Sequence, residues 1–158
     1  MDGRHSIDRC QQVTNATLQA VFRELNAHRV LLEGIVLKPN MVISGTDCPQ
    51  RAGVAEVASR TLDTLKRCVP SAVPGIVFLS GGQSEVEATQ HLNEMNRLGG
   101  GPWKLSFSYG RALQASALKA WGGSRGKFDA GQKAFAHRAR CNKAAALGEY
   151  SAELEAAN

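Results

Sequence analysis

Three groups in this chain have the residue types and spacing for chemistry: a lysine closing an apolar run, a serine ahead of two glycines, and a Ser-Tyr-Gly-Arg tetrad. Lys38 follows Ile35-Val36-Leu37 and precedes Pro39. Proline cannot donate to a ladder and holds the residue before it extended. Lys38 therefore reads as the last residue of a strand from Gly34 to Lys38, buried on both faces. An ammonium there is costly to desolvate, so its pKa should fall, which suits an amine that attacks carbonyls. The plainer alternative is a charged residue guarding a strand end in water. Ser80-Gly81-Gly82 offers a hydroxyl and backbone that can approach an anion closely, ahead of a helix whose dipole favours negative charge. An ordinary tight turn would look the same. In Ser108-Tyr109-Gly110-Arg111, the arginine sits where a helix should begin, and a cation there opposes the dipole by roughly 0.3–1 kcal/mol. A bound anion reverses that penalty, because guanidinium and phosphate pair bidentately.

Alternating strands and helices must position these groups. Ser6 to Arg29 carries Val13, Thr17, Ala20, Val21 and Leu25 at helical spacing, and the first strand follows. Asn40 to Gln50 reads as a loop. Val54, Val57, Ala58, Leu62 and Leu65 mark a second helix, closed by Pro70. Pro74 to Leu79 is a short apolar strand, and Ser84-Glu85-Val86-Glu87 reads as a capping box opening a helix to Leu98. Trp103 to Ser108 is a third strand, followed by a helix from Arg111 to Trp121 that stops at Gly122-Gly123. A last helix runs from about Lys127 to Leu147 and ends at Gly148, and the tail from Ser151 to Asn158 should fray. This order predicts an α/β fold with parallel pairing through right-handed crossovers. A doubly wound sheet and a piece of a (β/α)8 barrel both fit. Neither a G-x-G-x-x-G nor a Walker loop is present, which weakens the nucleotide-binding sheets. In either fold, function gathers at the carboxyl ends of the strands, and all three such ends are chemically loaded here. The barrel rule, which places phosphate sites after the last two strands, makes these strands six, seven and eight.

The bulk properties narrow the partners. A chain of 158 residues with 43% apolar and 21% charged residues can bury a core, and reads as a single domain. Its net charge of +5 suits an anionic metabolite. The basic stretch from Arg125 to Lys143 is interrupted by Asp129, and its aromatics do not interleave as a stacking surface needs, so it reads as a solvated helix and no nucleic-acid partner is expected. Cys10, Cys48, Cys68 and Cys141 form no CxxC pair, and the four histidines show no metal-ligand spacing. No run reaches membrane length and the first residues do not resemble a signal peptide, so a cytoplasmic protein with no membrane partner is expected.

Leu31 to Val42, Phe78 to Glu85 and Phe107 to Gly123 strongly resemble class I fructose-bisphosphate aldolase, and the likeness runs to about Tyr150. The resemblance implies a (β/α)8 barrel that is incomplete here, holding strands six to eight, with the N-terminal part missing. It implies reversible cleavage of fructose 1,6-bisphosphate to dihydroxyacetone phosphate and glyceraldehyde 3-phosphate through a Schiff base, in glycolysis and gluconeogenesis, with no cofactor and no metal. Lys38 matches the Schiff-base lysine. Ser80, Gly81 and Gly82 match the loop holding the phosphate on carbon 1, and Ser108, Gly110 and Arg111 match the other half of that site. Partners implied are sugar phosphates and, at full length, further copies of the chain in a tetramer. The family's acid/base carboxylates belong to the first five strands and have no counterpart here, and no terminal tyrosine follows Tyr150. The alternative is a catalytically incomplete, phosphate-binding half-barrel that needs the missing half.

Overall fold

The computed structural model describes residues 2–157. Among these, β1 (Val36–Leu37), β2 (Gly75–Phe78) and β3 (Lys104–Phe107) form one parallel sheet in the order β1-β2-β3. The helices are α1 (Ile7–Ala27), α2 (Val54–Cys68), α3 (Glu85–Arg97), α4 (Arg111–Trp121), α5 (Phe128–Leu147) and α6 (Ala152–Ala156). Helices pack on one another in turn, α1 on α2, α2 on α3, and α5 on both α3 and α4.

Each boundary has a local cause. In α3 the Ser84 hydroxyl accepts the Glu87 N–H, and the Glu87 carboxylate accepts the Ser84 N–H, which closes the expected capping box. Gly122 ends α4 and Gly148 ends α5, both in the left-handed region that spares a Cβ clash. The α2 stripe of Val57, Ala58, Leu62 and Leu65 is buried, in line with its spacing.

The strand register decides which side chains share a face. Leu37 lies beside Ile76, and Ile76 beside Leu105. Partners in a parallel ladder point the same way, and this row faces the helices: Ile76 and Leu105 are buried, and Leu37 packs against the core. The opposite face holds Val36, Lys38, Val77, Lys104 and Ser106, and nothing among the described residues covers it. Val36 is accordingly 59% exposed. The expected burial of the first strand on both faces is not met, and Lys38 is exposed. The strand is also shorter than Gly34–Lys38, because Leu32–Gly34 closes a 3-10 turn. Lys38 lies one residue past β1, yet the chain keeps its extended course, since the Pro39 carbonyl accepts the Leu79 N–H at 3.1 Å.

Two other expectations are corrected. The buried face of α1 is Ile7, Leu18 and Phe22, with Leu25 packed beside them, while Val13 and Val21 are exposed. The latter pair follows helical spacing but lies to one side of the stripe set by the larger Leu and Phe side chains. The tail does not fray: Ser151 caps α6, and Glu155 pairs through both oxygens with Arg138 of α5, at 2.6 and 2.7 Å. Asn158, the last residue of that tail, lies outside the described residues.

Candidate functional site

The strand ends gather on the uncovered face. Continuing the register, Lys38 shares a row with Val77 and Ser106, and Ser108 lies two residues further along β3 on the same face. With strands about 4.8 Å apart and a rise of about 3.3 Å per residue, the Cα atoms of Lys38 and Ser108 are about 12 Å apart. The four-carbon stem of lysine and a three-carbon phosphate ester together bridge such a gap. The Ser108 N–H is tied to the Phe78 carbonyl at 2.8 Å, so the second and third strand ends stay paired beyond the ladder.

The loop leaving Lys38 is bolted down. Met41, Val42 and Ile43 are buried although they belong to no regular element. The Val42 N–H donates to the Thr61 hydroxyl at 3.0 Å, and that hydroxyl donates to the Val57 carbonyl at 2.6 Å. Thr61→Val keeps the shape and strands a buried N–H, so it should cost about 1–3 kcal/mol, measured as a shift in urea midpoint. The Asn40 amide oxygen, two residues past Lys38, is buried without a hydrogen-bond partner, an acceptor left open at this strand end.

Ser80 to Gln83 is a tight turn closed by the Gln83 N–H on the Ser80 carbonyl at 3.1 Å. Both central residues have positive φ, +56° at Gly81 and +81° at Gly82, so the turn needs two glycines. Their N–H groups donate to no partner among the described residues. The dipole of α3, by contrast, is already answered. Glu87 occupies its N-terminus, and its hydrogen bond from the Ser84 N–H holds its carboxyl below the usual range. Arg51 adds a contact at 3.2 Å. The unpartnered N–H groups at this end are those of the glycine turn itself. Glu85 turns away, hydrogen-bonded to the N–H and hydroxyl of Ser116 on α4.

The start of α4 is the open helix end. Gly110 caps it with no side chain, its first turn holds no acid, and Arg111 makes no ion pair among the described residues. Gly110 itself has negative φ and ψ near −86°, and a Cβ there would meet open space. Lys38, Ser80–Gly82 and Ser108–Arg111 thus belong to three adjacent strand ends, with cations and unpartnered N–H groups among them.

Two residues the sequence reading passed over support the turn. Gln83 is buried and donates through Nε2 to the Ser80 carbonyl at 2.8 Å, while its Oε1 meets Nδ1 of buried His91 at 2.5 Å. Burial pushes the His91 imidazole down to about 4, with Arg51 acting the same way and Glu87 opposing. The unfolded chain, whose histidine titrates near 6.5, binds that proton first as pH falls. Stability from this residue is therefore full above pH 6.5 and drains away down to about pH 4, by about 3 kcal/mol in all. Urea midpoints at pH 7 and pH 4.5, compared between wild type and His91→Asn, should show the steeper acid loss in wild type.

Among the described residues, metal ligation has one geometric candidate. His137, Cys141 and Glu155 bring ligand atoms within 4.8 Å of one another. Both Glu155 oxygens are taken by Arg138, and one of them also accepts the Tyr150 hydroxyl at 2.6 Å. The group fastens α6 to α5 and stands away from the strand ends.

Comparison with known proteins shows what the chain is similar to. Residues 1–158 match a family described as fructose-bisphosphate aldolase class-I. The chain is 53% identical over 153 residues to a fructose-bisphosphate aldolase of Dictyostelium discoideum, covering 97% of this chain and 43% of that protein. It is 51% identical to fructose-bisphosphate aldolase 4, cytosolic, of Arabidopsis thaliana, covering 98% of this chain and 40% of that one. A solved Plasmodium falciparum fructose-bisphosphate aldolase, in complex with TRAP and a small-molecule inhibitor, superposes with a TM-score of 0.92 at 49% identity. That match takes in 95% of this chain and 43% of the other. The chain thus spans about two fifths of the length of the relatives it matches.

Proposed function

The chain belongs to the class I fructose-bisphosphate aldolase family, and from that membership we propose that it carries the Schiff-base lysine and one phosphate site of an enzyme cleaving fructose 1,6-bisphosphate. The sheet is read as strands six to eight of a (β/α)8 barrel, with its uncovered face turned to the barrel interior. The observation that carries this reading is the register, which sets Lys38 and Ser108 on one open face, flanked by two ends rich in free N–H groups.

The chemistry follows from these groups. Ser80, Gly81, Gly82, Ser108, Gly110 and Arg111 hold the phosphate on carbon 1, which places the ketone carbon within reach of the Lys38 amine. Attack gives a carbinolamine, and loss of water gives an iminium that accepts the electron pair released when the bond between carbons 3 and 4 breaks. Proton transfers at the carbinolamine and at the C4 hydroxyl need a positioned acid/base. This chain places none beside Lys38 among the described residues, so its own contribution is the amine, whose imine forms with protons from solvent, and cleavage requires complementing residues. A cytosolic relative supports a cytoplasmic setting, and assembly with further copies of the chain is part of the same reading.

The test is trapping. Borohydride added with dihydroxyacetone phosphate should fix the mass of the reduced ketose on Lys38, located by peptide mass spectrometry. A chain that binds phosphate but is never labelled at Lys38 favours the second reading, a phosphate-binding half-barrel alone.

A further inference from the structure

Gln83 joins the two loops that carry the proposed site. Its Nε2 donates to the Ser80 carbonyl and lies 3.6 Å from Sδ of Met41, which is three residues past Lys38. The Ser80 carbonyl also takes the Gln83 backbone N–H, so a single residue saturates the acceptor of the glycine turn. A carbonyl only accepts, which fixes the NH2 end of the Gln83 amide toward Ser80 and its oxygen toward His91. His91 must then donate from Nδ1, which fixes its tautomer as well. Both side chains are more than nine-tenths buried, so water does not stand in for either partner. With its acceptor pinned from the protein side, the turn leaves the Gly81 and Gly82 N–H groups for a ligand.

We propose that Gln83, oriented by His91, is the positioning residue that holds the Ser80–Gly82 turn in its phosphate-accepting form, and so sets the preference for phosphorylated over unphosphorylated ketose. This rests on the function proposed above and adds to it the residues that set its selectivity. Loss of the Gln83 amide leaves the Ser80 carbonyl held by the Gln83 backbone N–H alone, and two glycines relax more readily than any other pair once the side-chain tie is gone. The effect falls on the phosphate end, since the loop of Lys38 keeps its separate anchor at Thr61.

The experiment compares borohydride trapping of dihydroxyacetone phosphate with that of dihydroxyacetone, in wild type, Gln83→Leu, His91→Leu and His91→Asn. Asparagine carries an amide nitrogen where histidine carries Nδ1, so His91→Asn retains a neutral donor. Gln83→Leu and His91→Leu should each lower the preference for the phosphorylated ketone by about ten-fold or more, with dihydroxyacetone trapping unchanged and the preference restored in His91→Asn. A wild-type preference that survives in Gln83→Leu overturns the proposal. So does an equal loss of both ketones that His91→Asn fails to rescue, because a merely structural role acts that way. A wild-type chain that traps neither ketone rejects the underlying function, and the inference with it.

Discussion

A chain carrying Lys38→Met is expected to lose borohydride trapping of dihydroxyacetone phosphate down to the level set by its other lysines. Methionine matches the length of the lysine stem and offers no nucleophile, so the change removes the reaction without opening a cavity. Lys38 is exposed on the uncovered sheet face, and the substitution should leave the urea midpoint within about 0.5 kcal/mol of wild type. Lys38→Arg sharpens the result. It keeps the positive charge that draws a phosphate ester and lacks an amine able to form the imine, so binding should persist while labelling vanishes. Labelling spread evenly over surface lysines in both variants and wild type would sink the assignment, because a specific site concentrates the adduct through its phosphate contacts.

The second large effect concerns the tail. Glu155→Gln should cost about 3 kcal/mol of stability at neutral pH. The Arg138 side chain is 3% exposed and both of its terminal nitrogens bind Glu155, so the amide leaves a buried guanidinium without its counter-charge. Its Nε already lacks a partner, and the further contact of its terminal nitrogens, the Thr89 hydroxyl at 3.2 Å, is neutral and supplies no counter-charge. The hydrogen bond from Arg138 holds the Glu155 carboxyl below the usual range, and burial together with Glu155 raises the Tyr150 hydroxyl to about 12. The pair is therefore ionised, and the tyrosine protonated, across the neutral range. Glu153→Gln, two residues earlier and exposed, is the control and should change little. Denaturant unfolding of the two variants checks both statements.

What could be read from the residues divides along physical lines. Elements bounded by proline, glycine or a cap were legible to within a residue or two. Pro70 closes α2, the Ser84–Glu87 box opens α3, and Gly122 and Gly148 end α4 and α5. The adjacency of the three strand ends was legible because strands alternating with helices pair in parallel. Features set by distant partners were not. The burial of Lys38 was overestimated because an apolar run does not reveal whether both faces of its sheet are covered. The face of α1 went to Leu18 and Phe22, which outweigh the valines beside them. Nothing local marks Glu155 as an anchor, since its partner Arg138 is 17 residues back. The sole local cue to Gln83 was an amide between a glycine pair and a cap serine. The dipole credited to α3 was in truth neutralised by the same capping box that had identified the helix.

The bare beginning of α4 makes that segment a reporter. Backbone amides of Gly110 and Arg111, with no acceptor among the described residues, should swap hydrogen for deuterium quickly in the empty chain. Inorganic phosphate at millimolar concentration should slow that exchange selectively, while the amides of the self-capped α3 keep their pace. Occupancy then becomes visible by mass alone, without turnover and without any change in the folded outline.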